Sequence, residues 1–196
     1  MCSCQCAQTR GEKEREFMEE KDAQGAAKPV PFFQEKRVLT IAAIVLAADQ
    51  LTKQMVVHTI DMTGQVILID GFLKLVNWHN TGAAWSQFQG KSLHLAIISF
   101  IALGALIHYR HHFEIHTKTG KTAMGMLIGG IIGNLIDRVA YQHVVDFIRF
   151  YLHQREGGEI GYPAFNIADM GICVGVGLMF VQAWQAQPIN EQQKEE

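Results

Sequence analysis

Apolar residues in this chain gather into four runs, 38–57, 92–109, 122–140 and 166–184, separated by polar stretches. Each run is close to the ~20 residues that a helix needs to cross a bilayer. The second is the most continuous, with Leu93-His94-Leu95-Ala96-Ile97-Ile98-Ser99-Phe100-Ile101-Ala102-Leu103 at its centre. Four such runs in so short a chain argue against a soluble bundle of buried helices. The link after the first run has another character. Gln65-Val66-Ile67-Leu68-Ile69-Asp70-Gly71-Phe72-Leu73-Lys74-Leu75-Val76-Asn77-Trp78 reads as two short strands about an Asp70-Gly71 turn. So small and apolar a hairpin forms no core alone and is expected to rest on the bilayer surface. The predicted fold class is an all-α membrane protein with four transmembrane helices and a small β-sheet between helices 1 and 2.

Lys and Arg in the flanks orient these helices. Lys28, Lys36 and Arg37 precede the first run, and Arg110, Lys118 and Lys121 fill the short link between the second and third. The longer first link carries only Lys74 and Lys91, and the link after the third run Arg149 and Arg155. By the positive-inside rule both termini are cytoplasmic, and the hairpin is extracytoplasmic. Residues 1–37 and 185–196 are polar cytoplasmic tails; the first is rich in Glu, Lys, Gln and Arg, lacks an apolar face and is expected to be disordered. The membrane domain is 38–184. A net charge of −2 is too small to argue for nucleic acid or any strongly charged partner, and no nucleic-acid partner is expected. Cys2, Cys4 and Cys6 in the tail and Cys173 in an apolar run form no disulfide framework or metal-ligand spacing.

The chemistry lies in polar residues that a lipid-facing helix should not carry. Asp49 and Lys53 stand four apart, acid before base, and are read as an ion pair. Asn134, Asp137 and Arg138 close the third run, with Asp137 and Arg138 read as a structural pair that can also meet substrate. Gly125, Gly129 and Gly133 recur every fourth residue with Gly130 beside them, as Gly171 and Gly175 do in the fourth run, making smooth faces for close helix packing. Asp146 lies among Val144, Val145, Phe147 and Ile148, and Asp169 between Ala168 and Met170. If antiparallel helices bring the end of the third run beside the start of the fourth, the two carboxyls share one proton. Such a pair offers a base for water and an acid for a carbonyl oxygen, which is the requirement for cleaving a peptide bond. Asn166, three residues before Asp169, stands where it can orient a carboxyl or the peptide. His79, His94 and His143 lack a His-Glu-x-x-His helix, so no metal is expected, and no cofactor.

Five blocks carry a resemblance: Asp49-Gln50-Leu51-Thr52-Lys53, Asn80-Thr81-Gly82-Ala83-Ala84-Trp85-Ser86, Gly129-Gly130-Ile131-Ile132-Gly133-Asn134-Leu135-Ile136-Asp137-Arg138, Val144-Val145-Asp146-Phe147 and Phe165-Asn166-Ile167-Ala168-Asp169. In this order they resemble the motifs of the lipoprotein signal peptidase (signal peptidase II) family. The resemblance implies an aspartic endopeptidase of the bacterial inner membrane, active at the extracytoplasmic side. It would cut prolipoproteins just before a diacylglyceryl-modified cysteine, in contact with membrane lipids, and be inhibited by globomycin. It also implies Asp146 and Asp169 as the catalytic pair, with Asp49, Lys53, Asn80, Gly133, Asn134, Arg138 and Asn166 lining or supporting the site, and a substrate-cradling sheet that fits the hairpin. Three departures stand out: Trp85 where Phe is usual, Gln142 where Gly is common, and a slightly long segment between the two Asp. A proton-coupled transporter built on the intramembrane Asp residues is the alternative reading, and a scaffold using the glycine faces a third; four helices without an internal repeat disfavour the transporter.

Overall fold

The structure, a computed structural model, describes residues 35–82, 88–110, 117–155 and 157–185. Outside them lie the tail with Cys2, Cys4 and Cys6, Trp85 and its neighbours, His111, His112 and His116, and residues 186–196. The chain runs α1 (Lys36–Thr59), β1 (Gln65–Ile69), β2 (Leu73–Asn80), α2 (Ser92–His108), α3 (Lys118–Tyr141), β3 (Val144–His153), β4 (Glu159–Gly161) and α4 (Ile167–Gln185). Among the described residues three helices, α1, α3 and α4, are long and apolar enough to cross a membrane. The second apolar run forms α2, a shorter apolar helix. The chain is a multi-pass membrane protein.

All four expected runs are helical, and α3 starts earlier than the apolar pattern suggested. Thr117 is its N-cap, and its hydroxyl accepts from Gly120 N at 2.9 Å. This capping interaction recruits Lys118 and Lys121, read from sequence as link, into the first turn.

Helix α3 is the central element, packed against α1, α2 and α4. Its glycines explain how closely. A Cβ on Gly125 would meet Val38 O and Ile41 Cβ at 2.8 Å, and one on Gly129 would meet Ala42 O at 2.7 Å. Gly130 faces Ala168 and Ile172 of α4, and from α4 itself Gly175 faces Leu127. These faces are consumed by helix packing.

The hairpin at Asp70-Gly71 forms, but it is half of a larger object. The four strands make one sheet in the order β1-β2-β3-β4, antiparallel throughout. Strands therefore come from both links, so the fold is helical with a four-stranded sheet rather than all-α, and the sheet is not confined to the link between α1 and α2. The segment after α3 was expected as a loop because its apolar residues run without alternation, a pattern that does not separate a strand from a helix end. On one face of β3, Val145 and Phe147 pack with Val56 and Ile60 from the end of α1. That contact joins the sheet to the helices, and strand alternation turns Asp146 to the opposite face.

Candidate active site

Asp146 stands on β3, beyond the α3 C-terminus, rather than on a helix end. An isolated bridge supplies the juxtaposition that helix ends were expected to give. Phe165, immediately before α4, pairs with Ile148: Phe165 N donates to Ile148 O at 3.0 Å, and Ile148 N donates to Phe165 O at 2.9 Å. The next residue, Asn166, consequently lies beside Asp146, and Asp169 follows in the first turn of α4.

Asn166 is fully buried and serves both carboxyls. Its Oδ1 accepts from Asp169 N at 2.9 Å and its backbone N–H donates to Asp169 Oδ2 at 3.3 Å, a reciprocal cap on the helix N-terminus. Its Nδ2 donates to Asp146 Oδ1 at 2.8 Å. Asn80, at the end of β2, donates to the other oxygen, Asp146 Oδ2, at 2.9 Å. Asn134 Nδ2 donates to Asp169 Oδ1 at 2.7 Å. Burial, with the adjacent Asp169 carboxylate as a second cause, raises the Asp146 carboxyl to about 7. The acid form of Asp146 thus persists close to neutral pH, beside an Asp169 seated on a helix N-terminus.

Behind the pair lies a buried ionic cluster. Lys53 bonds Asp49 Oδ2 at 2.8 Å, as the four-residue spacing predicted, and also Asp137 Oδ2 at 2.7 Å. The expected Asp137–Arg138 pair is not what forms. Consecutive residues on a helix point some 100° apart, so Asp137 faces α1 while Arg138 turns along its own helix to Asn134 O at 3.3 Å and across to Gly82 O at 3.4 Å. Gly133 is small of necessity: a Cβ there would stand 2.6 Å from Asp49 Oδ2. Asp49 Oδ1 accepts from Ala168 N at 2.9 Å, so α1 caps the start of α4. Gln50 was given no role from sequence, yet its amide bonds Asp137 Oδ1 at 3.0 Å and Gly133 O at 3.3 Å. Its signals were a carboxamide inside an apolar run and a place between Asp49 and Lys53 in the first of the five blocks.

Two of the histidines weighed as metal ligands, His79 and His143, stack face to face at 3.9 Å between ring centroids. Burial, then the neighbouring His143, lowers the His79 imidazole from its usual value. Among the described residues no group of three or more His, Cys, Asp or Glu is placed to hold a metal ion.

A buried acid beside a carboxylate, with three asparagines fixing their oxygens, is equipped to activate water against a carbonyl. A family profile described as signal peptidase (SPase) II matches residues 41–185. The chain belongs to the signal peptidase II family. It is similar to the lipoprotein signal peptidases of Bacillus pumilus (strain SAFR-032) and Bacillus subtilis (strain 168). Each is 37% identical over 142 residues, which span 72% of this chain and 88% and 89% of those proteins respectively. Two solved structures, each titled as a bacterial membrane enzyme determined by the in meso method, are both 32% identical to it. One, at 2.3 Å resolution, has a TM-score of 0.68 and covers 81% of this chain and 93% of its own. The other, at 1.9 Å, has a TM-score of 0.64 and covers 76% and 93%. The signal peptidase II match spans every residue of the cluster around Asp146 and Asp169.

Proposed function

We propose that this chain is the aspartic endopeptidase that removes the signal peptide from lipoprotein precursors, with Asp146 and Asp169 as its catalytic dyad. Family membership supports the reaction. The observation that carries the residue assignment is Asn166, which hydrogen-bonds both carboxyls at once. Asp169, on the helix N-terminus and bonded by Asn134, is the carboxylate that takes a proton from water. Asp146, held protonated, passes its proton to the scissile carbonyl oxygen as the water attacks, giving a neutral gem-diol. The tetrahedral intermediate collapses when the proton gained by Asp169 passes to the leaving amine, and Asp146 regains its own. Asn80 and Asn166 keep Asp146 turned toward the peptide, while the Asp49–Lys53–Asp137 cluster and Arg138 support the wall behind.

The substrate is a precursor bearing a diacylglyceryl group on the cysteine that follows the cut. In this reading the domain 38–184 spans the bacterial inner membrane four times, α2 included. Both termini are cytoplasmic, and the sheet and dyad stand at the extracytoplasmic surface among the lipids. Exposed Val66, Ile67, Leu68, Ile69 and Phe72 make the sheet's outer edge apolar, which suits such a surface. Globomycin is the expected inhibitor. The test is a gel-shift assay of purified protein on a lipid-modified precursor. Wild type releases the signal peptide and globomycin blocks it; Asp146→Asn and Asp169→Asn proteins, inserted normally, leave the precursor uncut. Cleavage by either variant would sink the dyad. Proton-linked flux in liposomes, with the precursor untouched, would favour a transporter instead.

A further inference from the structure

Lys53 is almost fully buried; its ammonium forms ion pairs with Asp49 Oδ2 at 2.8 Å and Asp137 Oδ2 at 2.7 Å and donates a hydrogen bond to Asn134 Oδ1 at 3.0 Å. An ammonium donates and accepts nothing. The atom of the Asn134 carboxamide that faces it must be the oxygen. Asn166 Nδ2 reaches the same oxygen at 3.2 Å and enforces the same choice. The Asn134 nitrogen is therefore turned away from Lys53 and onto Asp169 Oδ1, at 2.7 Å. A flipped amide would set donors against the ammonium and an acceptor against the carboxylate, leaving buried groups unsatisfied on both sides.

We infer that Lys53 is a positioning residue of the peptidase: it locks the Asn134 carboxamide so that this side chain donates to Asp169 and fixes that carboxylate where it meets the attacking water. The inference rests on the dyad proposed above and adds a division of labour within the cluster. Asp49 and Asp137 hold the ammonium in place by ion pairing, and Lys53 transmits its constraint to Asp169 through the single amide to which it donates. A lysine present only to neutralise two buried carboxylates would have no need of Asn134.

The two roles separate in a double-mutant cycle on kcat and KM with a lipid-modified precursor. Every member substituted at Lys53 also carries Asp137→Asn, so that Lys53→Met leaves Asp49 as the one charge and keeps the formal total of the trio at −1, its value in the unchanged chain with two carboxylates and one ammonium; Asp137→Asn alone is the control. Lys53→Met is expected to lower kcat about 100-fold at unchanged KM, the scale of a misplaced catalytic group. Asn134→Ala is expected to do the same, and the double variant to be no slower than Asn134→Ala alone, because both changes break one relay. Lys53→Gln, whose amide nitrogen can still face Asn134 Oδ1, recovers most of the loss. Asn134→Asp in the otherwise unchanged chain keeps an oxygen for Lys53 but gives Asp169 no donor, and is expected to match the Lys53→Met loss. Losses that multiply in the double variant, a raised KM with intact kcat, no recovery by Lys53→Gln or a fully active Asn134→Asp protein would each overturn the relay. Asp146→Asn and Asp169→Asn run alongside: activity in these rejects the dyad itself, whereas inactivity there with multiplying losses rejects only the part given to Lys53.

Discussion

A carboxyl that stays protonated near neutral pH is the residue-level feature on which the proposed chemistry turns. Asp146 is 5% exposed and raised to about 7, chiefly by burial. Its acid form is the working form, held below that value and lost above it. The rate on a lipid-modified precursor, kcat/KM, is therefore expected to fall as pH rises through about 7. A flat profile into the alkaline range would contradict Asp146 as the acid. A second prediction concerns Gly133. Its absent side chain leaves the space that Asp49 Oδ2 fills, with Ala168 Cβ only 3.3 Å from where a Cβ would be. Gly133→Ala should cost about 1–3 kcal/mol of stability, as overpacking does, and lower activity by displacing Asp49 from Ala168 N. Thermal unfolding in detergent measures the first effect and the gel-shift assay the second. Sequence spacing was enough to pair Asp49 with Lys53, because an i,i+4 contact is local. It was not enough for Asp137, whose partner lies on another helix.

Two elements make the site, and each carries a test. The junction after α3 passes through Gln142, which has φ 63° and forms the left-handed C-cap. Glycine takes this conformation without steric cost, which gives a physical reason for the glycine common there in the family. Gln142→Gly is expected to stabilise the protein by about 1 kcal/mol and to raise its unfolding temperature; an unchanged or lowered one would show the αL cap to be unstrained. The start of α4 has two duties, capping and holding Asp146, and Asn166→Ser separates them. Serine caps as well as asparagine does, so Asp169 N keeps an acceptor, but serine has no amide to reach Asp146 Oδ1. Activity should fall about 100-fold, the effect of losing one preorganised donor, with the helix still capped. Equal losses in unfolding temperature and rate would mean that Asn166 matters only as a cap. The four helices were legible as elements because their apolar runs are long. Strand β3 was not, because Val144, Val145 and Phe147 are apolar in near succession and both faces of that strand end are buried.

At the scale of the whole molecule, the proposed topology places the β3–β4 turn and the start of α3 on opposite sides of the bilayer. Arg155 and Thr119 are both exposed and lie at those two places. In a cysteine-free background, Arg155→Cys should react with a membrane-impermeant maleimide in intact cells, and Thr119→Cys only after permeabilisation. The reverse pattern would invert the orientation and put the dyad on the cytoplasmic side. Between the two Asp, β3 and β4 pair as a hairpin and the Ile148–Phe165 bridge closes its base, so Asp146 and Asn166 are adjacent despite the length of chain between them.

By itself the sequence determined which segments are helical, that close glycine faces join them, and that Asp49 pairs with Lys53. Each of these is a local property, fixed by run length or by spacing along one helix. It also carried the five motifs that resemble the signal peptidase II family. Only the tertiary structure decided that the second hairpin completes a four-stranded sheet, that Asp146 rides on a strand, that Asp137 turns to Lys53 rather than to Arg138, and that one asparagine reaches both carboxyls. Those facts depend on contacts between residues far apart in the chain, where no short period in the sequence records which partner a buried polar group will meet.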